Sequence, residues 1–122
     1  MAVTVPGRLQ TCSIAMLFEP ARLPQALEIL ASTVGPIRAK RGCKSCRVEL
    51  DAGGERALRY SEEWDSEEAF HRHLRSEEFW RVLVAMDLCS EEPEVTIGEL
   101  SAQYGLEALR KLRERPPGGG GN

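Results

Sequence analysis

The stretch EEWDSEEAFHRHLRSEEFW, residues 62–80, holds both histidines of the chain, both tryptophans and two of its three phenylalanines. Imidazole titrates near neutral pH, so His71 and His73 are the side chains best suited to accept or relay a proton. The other chemistry-bearing set is four cysteines, Cys12, Cys43, Cys46 and Cys89, of which CKSC at 43–46 has the spacing of a redox pair or of half a zinc site. A structural zinc needs four ligands, normally two such pairs, and Cys12 and Cys89 stand alone. A thioredoxin-like pair opens a helix, whose dipole lowers the thiol pKa, whereas CKSCRVEL runs into a strand pattern. In a regular strand, residues three apart point to opposite faces, which is poor geometry for a shared metal. The four are therefore expected as buried, reduced thiols, with no metal.

Helix geometry separates the two histidines. At about 100° per residue, Ala69, Phe70, His73 and Leu74 fall within one apolar sector and His71 lies outside it. His71 is expected on the surface. His73 faces inward, either as a proton-handling group or as a packed histidine with a ring nitrogen bonded to backbone or to an acid such as Glu62. Trp80 lies off the Phe79, Leu83, Met86 stripe and is expected at a subunit contact or a pocket rim. The acidic run EEWDSEE reads as helix capping and solvated surface, with Asp65 and Glu68 as a capping box.

These residues must be positioned by the elements around them. Residues 12–19, CSIAMLFE, read as a strand apolar on both faces and buried on both. From Ala21 to about Lys40, Leu23, Ala26, Leu27, Leu30, Val34 and Ile37 recur at helical spacing, with Pro24 in the first turn and a break or kink at Gly35-Pro36. CKSCRVELD, 43–51, is a second strand with Cys46, Val48 and Leu50 on one face. AGGE, 52–55, is a hairpin turn in which glycine supplies positive φ. RALRYSEEW, 56–64, is a third strand with Leu58, Tyr60, Glu62 and Trp64 on one face. A helix breaking at Ser76 follows, then a last strand, EVTIGEL, 94–100.

The order β-α-β-β-α-β predicts an α+β, ferredoxin-like fold: a four-stranded antiparallel sheet with two helices on one face. A second subunit is the simplest cover for the other face. Residues 1–10 form an N-terminal extension, 11–102 the domain, 103–115 a C-terminal amphipathic helix with Leu106, Leu109 and Leu112, and 116–122 a flexible tail. No apolar run approaches a membrane span, and no secretory leader pattern opens the sequence, so a cytoplasmic location is expected. With a net charge of -3 and one dense basic cluster, RKLRER, no nucleic-acid groove is expected.

The pattern W-D-S-E-E-A-F-x-x-H-L-x-S-x-x-F, Trp64 to Phe79, preceded by Gly42-Cys43, resembles the antibiotic biosynthesis monooxygenase family. The resemblance covers about residues 12–100 and implies a homodimeric α/β barrel. Active members of that family oxidise phenols and quinols without metal or flavin, because the electron-rich substrate anion itself reduces oxygen. It implies a cofactor-independent monooxygenase for a small aromatic, quinol or anthrone-like substrate, with His73 as base or relay. Trp64 would be an aromatic wall with Phe70, Leu74 and Phe79 nearby, and Tyr60 and Glu62 would orient a hydroxyl. The haem-degrading branch needs a histidine near Leu83 and an asparagine in the first strand; the chain has neither, its one asparagine being Asn122. The other reading is a non-catalytic dimeric module that binds an aromatic ligand in the same pocket.

Overall fold

The computed structural model describes residues 2–54 and 56–114, with side chains described outside 2–7 and 102–104. Its elements run β1 (Ala2–Leu17), α1 (Leu23–Arg38), β2 (Cys43–Leu50), β3 (Ala57–Trp64), α2 (Glu67–Leu74), α3 (Glu77–Met86), β4 (Glu94–Tyr104) and α4 (Leu106–Glu114). The strands form one antiparallel sheet in the order β2-β3-β1-β4, the ferredoxin-like arrangement. The tail at 116–122 lies outside the described residues.

Alternation sets which side of the sheet is covered. Cys12, Ile14, Met16 and Phe18 of the β1 segment are buried with Leu58, Tyr60, Glu62 and Trp64 of β3, and Ala26, Leu30, Val34 and Ile37 of α1 close over them. Phe70 of α2 and Phe79, Val82 and Ala85 of α3 complete the core. On the other face of β1, Thr11, Ser13, Ala15 and Leu17 alternate with the core residues and are half-buried in the single chain.

Local chemistry accounts for the ends of the elements and for several departures from expectation. β1 begins at Ala2, and residues 2–4 pair with 102–104 of β4. The register then shifts between Thr4 and Leu9, a segment that includes Pro6, which has no N–H to give to a ladder. Pro24 sits in the first turn of α1, and Pro36 lies inside the helix, which continues past it to Arg38. α2 and α3 are separate helices. Ser66 caps the first, accepting from the Ala69 N–H at 3.1 Å, and Ser76 caps the second, accepting from the Phe79 N–H at 3.2 Å. Ser66, not Asp65, is therefore the capping residue.

Among the described residues the one glycine at positive φ is Gly42, at 92°, and not a glycine of the β2–β3 turn. Gly42 packs so closely that an added Cβ would stand 2.8 Å from both Ala69 Cβ and Asp65 Oδ1. Its carbonyl accepts from the Asp65 N–H at 2.8 Å, fastening the start of β2 to the entry of α2. α4 buries Ala108 and leaves Leu106, Leu109 and Leu112 more than half exposed, as Val95 and Ile97 of β4 are also largely exposed.

Candidate functional site

The period of two along β3 places Tyr60, Glu62 and Trp64 side by side on the helix-covered face, and His73, in the last turn of α2, descends onto them. All four are at most 2% exposed. Glu62 is the centre of the cluster. Its Oε1 accepts from Trp64 Nε1–H at 2.8 Å; its Oε2 accepts from His73 Nε2–H at 2.8 Å and from the Tyr60 hydroxyl. Burial, then the charge of Glu62, pushes the Tyr60 hydroxyl far above its ordinary range, so Tyr60 stays a donor. Behind it the Cys46 thiol donates to the Tyr60 oxygen at 3.4 Å.

The opposite ring nitrogen faces outward. His73 Nδ1 lies 3.1 Å from Lys40 Nζ and 3.4 Å from Ser76 Oγ. An ammonium can only donate, so Nδ1 carries the lone pair while Nε2 carries the proton, the tautomer that Glu62 also demands. The ring is further fixed by stacking on Trp64, centroids 4.6 Å apart, and by the edge-to-face contact of Phe79 at 5.4 Å. Lys40 is held in turn by Glu78, Nζ to Oε1 2.7 Å, and that ammonium draws the Glu78 carboxyl below its ordinary value.

In front of Nδ1 opens a surface cleft of about 260 Å³ bordered by Lys40, Arg41, Trp64, Arg72, His73 and Ser76. A larger cleft, about 460 Å³, lies around Ala15, Asp51 and Arg59 with no histidine or cysteine on its walls. The smaller one is the candidate site, because His73 stands on its wall with Lys40 and Ser76, the two groups that meet Nδ1. An acidic hydroxyl that displaces the Lys40 N–H from Nδ1 could pass its proton there, with the released ammonium beside the anion that remains and Glu62 steadying the imidazolium that forms.

Of the residues singled out from sequence, His73 and Trp64 border the cleft, and Tyr60 and Glu62 stand behind His73 and reach the cleft only through it. Phe79 touches His73, while Phe70 is buried in the core and Leu74 is half-buried against it; neither is on the cleft wall. His71 is exposed, and Trp80 is 63% exposed on the outer side of α3. Sequence reasoning missed Lys40, Arg41, Arg72 and Ser76. Lys40 and Arg41 follow the end of α1, 33 and 32 positions before His73, and no local periodicity links them to it.

The cysteines also differ from expectation in one respect. The register slips between Cys43 and Ser45, so Cys43 pairs with Trp64 and Cys46 with Glu62, which puts both thiols on the same side of β2. All four cysteines are free, Cys12 and Cys46 buried, Cys43 and Cys89 half-buried. Burial, the first cause in each case, raises the thiols of Cys12 to about 12 and of Cys46 to about 11. Among the described residues no group of three or more histidine, cysteine or acidic side chains is placed to hold a metal ion.

Comparison with known proteins adds a family to this geometry. Residues 11–83 match the profile described as antibiotic biosynthesis monooxygenase. Solved structures of like fold include a conserved protein of Methanosarcina mazei (TM-score 0.68, 19% identity, 74% of this chain and 90% of that one). Rv0793 of Mycobacterium tuberculosis (0.67, 21%, 74% and 92%) is a second. A third is described as an antibiotic biosynthesis monooxygenase (0.66, 17%, 73% and 95%). No curated protein sequence matches significantly.

Proposed function

Since the chain belongs to the antibiotic biosynthesis monooxygenase family, we propose that it is a cofactor-independent monooxygenase acting on a small aromatic, quinol or anthrone-like substrate, with His73 as the base. The observation that supports this reading is the polarity of the imidazole. Nε2–H is anchored on Glu62 at 2.8 Å, and the Nδ1 lone pair accepts from the ammonium of Lys40, a residue of the cleft wall. A substrate hydroxyl, or an acidified ring CH₂, loses its proton to Nδ1, and the resulting electron-rich anion donates to oxygen. For an anthrone-type carbon the balance is CH₂ + O₂ → C=O + H₂O. Four electrons come from the carbon, one oxygen atom stays in the product and the other leaves as water. Trp64 and Phe79 hold the imidazole plane through this exchange, and Tyr60 keeps Glu62 pointed at Nε2.

Oxygen uptake by metal-free protein with a panel of hydroquinones and anthrones tests the reading, run beside His73→Ala shown to be folded. The expected result is uptake that falls by about 10²–10⁴-fold in the variant, the usual worth of a positioned base. Uptake unchanged in His73→Ala removes the histidine from the mechanism. Absence of uptake from the parent protein with saturable ligand binding gives the site to a non-catalytic binding module. That second reading is favoured by the complete satisfaction of the buried polar side chains: among the described residues none lacks a hydrogen-bond partner.

The reading includes a homodimer and a cytoplasmic location. In its support, β4 presents Val95 and Ile97, and α4 presents Leu106, Leu109 and Leu112, all of them 47–65% exposed. Apolar surface of this kind favours a covering subunit. Sedimentation of the intact protein at micromolar concentration reads the dimer directly, and a monomer there overturns it. The free thiols fit a reducing compartment. Among the described residues no helix is long and apolar enough to cross a membrane.

A further inference from the structure

The walls of the His73 cleft carry three cations, Lys40, Arg41 and Arg72, and no carboxylate. Their neutralisation is uneven. Lys40 is paired tightly with Glu78 at 2.7 Å, and Arg72 meets Glu68 only at 3.9 Å, both partners being well exposed. Arg41 has no ion pair among the described residues, although Asp65 and Glu68 line the neighbouring depression that Arg41 and Arg72 also border. A neutral hydroquinone would use Nδ1 and Lys40 and offer neither guanidinium group a charged partner.

We propose that the cleft selects hydroxylated aromatic compounds that carry a carboxylate, the hydroxyl set against His73 and the carboxylate against Arg41 and Arg72. This inference names the substrate class of the same site and rests on the reading of His73 as the group facing the substrate hydroxyl. The chemistry is that of the planar guanidinium, which offers paired N–H donors at the spacing of the two carboxylate oxygens. Because both arginines are exposed, their attraction is screened by salt and is moderate in size.

The experiment compares binding of 2,5-dihydroxybenzoate with that of 1,4-dihydroxybenzene, which differ only in the carboxylate, by calorimetry under nitrogen so that no oxidation intervenes. At low ionic strength the carboxylate is expected to improve affinity about tenfold, the scale of one well-placed charge-assisted contact. The preference should shrink in 0.5 M sodium chloride, a concentration chosen because its screening length is only about 4 Å. The double variant Arg41→Gln, Arg72→Gln, two exposed substitutions whose folding circular dichroism would verify, should bring the two ligands to equal affinity.

Equal affinity for the parent protein, no saturable binding of 2,5-dihydroxybenzoate, or a preference untouched by the double substitution overturns the inference. Oxygen uptake is scored separately. A carboxylate preference without any uptake leaves the selectivity standing and removes the oxygenase, whereas uptake with 1,4-dihydroxybenzene and no preference removes the selectivity alone.

Discussion

Replacing Glu62 by glutamine changes one atom at the centre of the buried cluster, and the geometry sets the size of the effect. The two carboxylate oxygens accept three bonds, one at Oε1 from Trp64 and two at Oε2 from His73 and Tyr60. Glutamine has one acceptor oxygen. The better of its two orientations keeps that oxygen at the doubly bonded site and turns NH₂ toward the Trp64 N–H, 2.8 Å from where Oε1 stood. One bond to a charged acceptor is lost, a donor faces a donor, and the other two bonds weaken from charged to neutral. At roughly 1.5–3 kcal/mol for a bond to a charged group, offset in part by no longer burying a carboxylate, the net loss is about 3 kcal/mol. For a domain of this size that lowers Tm by roughly 10 °C.

Thermal and urea unfolding of Glu62→Gln measure it. A double-mutant cycle with Trp64→Phe locates it, since the tryptophan N–H has nothing left to lose once glutamine faces it, and the coupling should be about 1.5 kcal/mol. Destabilisation below about 0.5 kcal/mol, or a coupling near zero, would falsify the assignment of Glu62 as the acceptor of all three donors.

Gly42→Ala forces an L side chain to φ 92° and drives a Cβ to 2.8 Å from Ala69 Cβ. A stability loss of about 2–4 kcal/mol is expected in urea unfolding, and a loss under 1 kcal/mol would show that the loop before β2 relaxes freely. Alkaline pH should also weaken the fold. In the unfolded chain the thiols ionise near 9.0, whereas folded Cys12 and Cys46 hold their protons to about 12 and about 11. Above pH 9 the folded state therefore binds more protons, and stability falls by about 1 kcal/mol per pH unit for each thiol until its folded pKa is passed. Urea midpoints from pH 8 to 10.5 read this slope, to which the raised Cys43, Cys89 and Tyr60 also contribute, and Cys12→Ala should flatten it by the share of that one thiol; a slope identical in the variant refutes the role of that thiol.

What could be read from sequence was what repeats with a period. The alternation of Leu58, Tyr60, Glu62 and Trp64 placed four residues on one face of β3, and the helical sector of Ala69, Phe70, His73 and Leu74 placed four more inward; all are buried except Leu74, which is half-buried. The break at Ser76 was visible because serine before a glutamate-rich first turn is a cap. What escaped was set by irregularity or by distance along the chain. One extra residue in β2 reverses the parity that separates Cys43 from Cys46, and parity arguments assume that no such residue exists. The positive φ belongs to Gly42, where α1 gives way to β2, although Gly53 and Gly54 look alike in sequence. Lys40, in the turn between α1 and β2, reaches His73 in the last turn of α2, a long-range fact with no local signature.

The join between α2 and α3 gives the cleft a measure of size. Ser76 borders the opening and at the same time accepts the Phe79 N–H that starts α3. A ligand substituent that displaces this hydroxyl also uncaps a helix, at a cost of about 1 kcal/mol, roughly a fivefold loss of affinity. The wall on that side is a side chain tied to the start of a helix and not one that rotates freely. It meets bulk with a step in affinity where a flexible wall would yield by degrees, so compounds differing by one ring substituent should sort into those that fit beside the serine and those that must unmake a turn of helix.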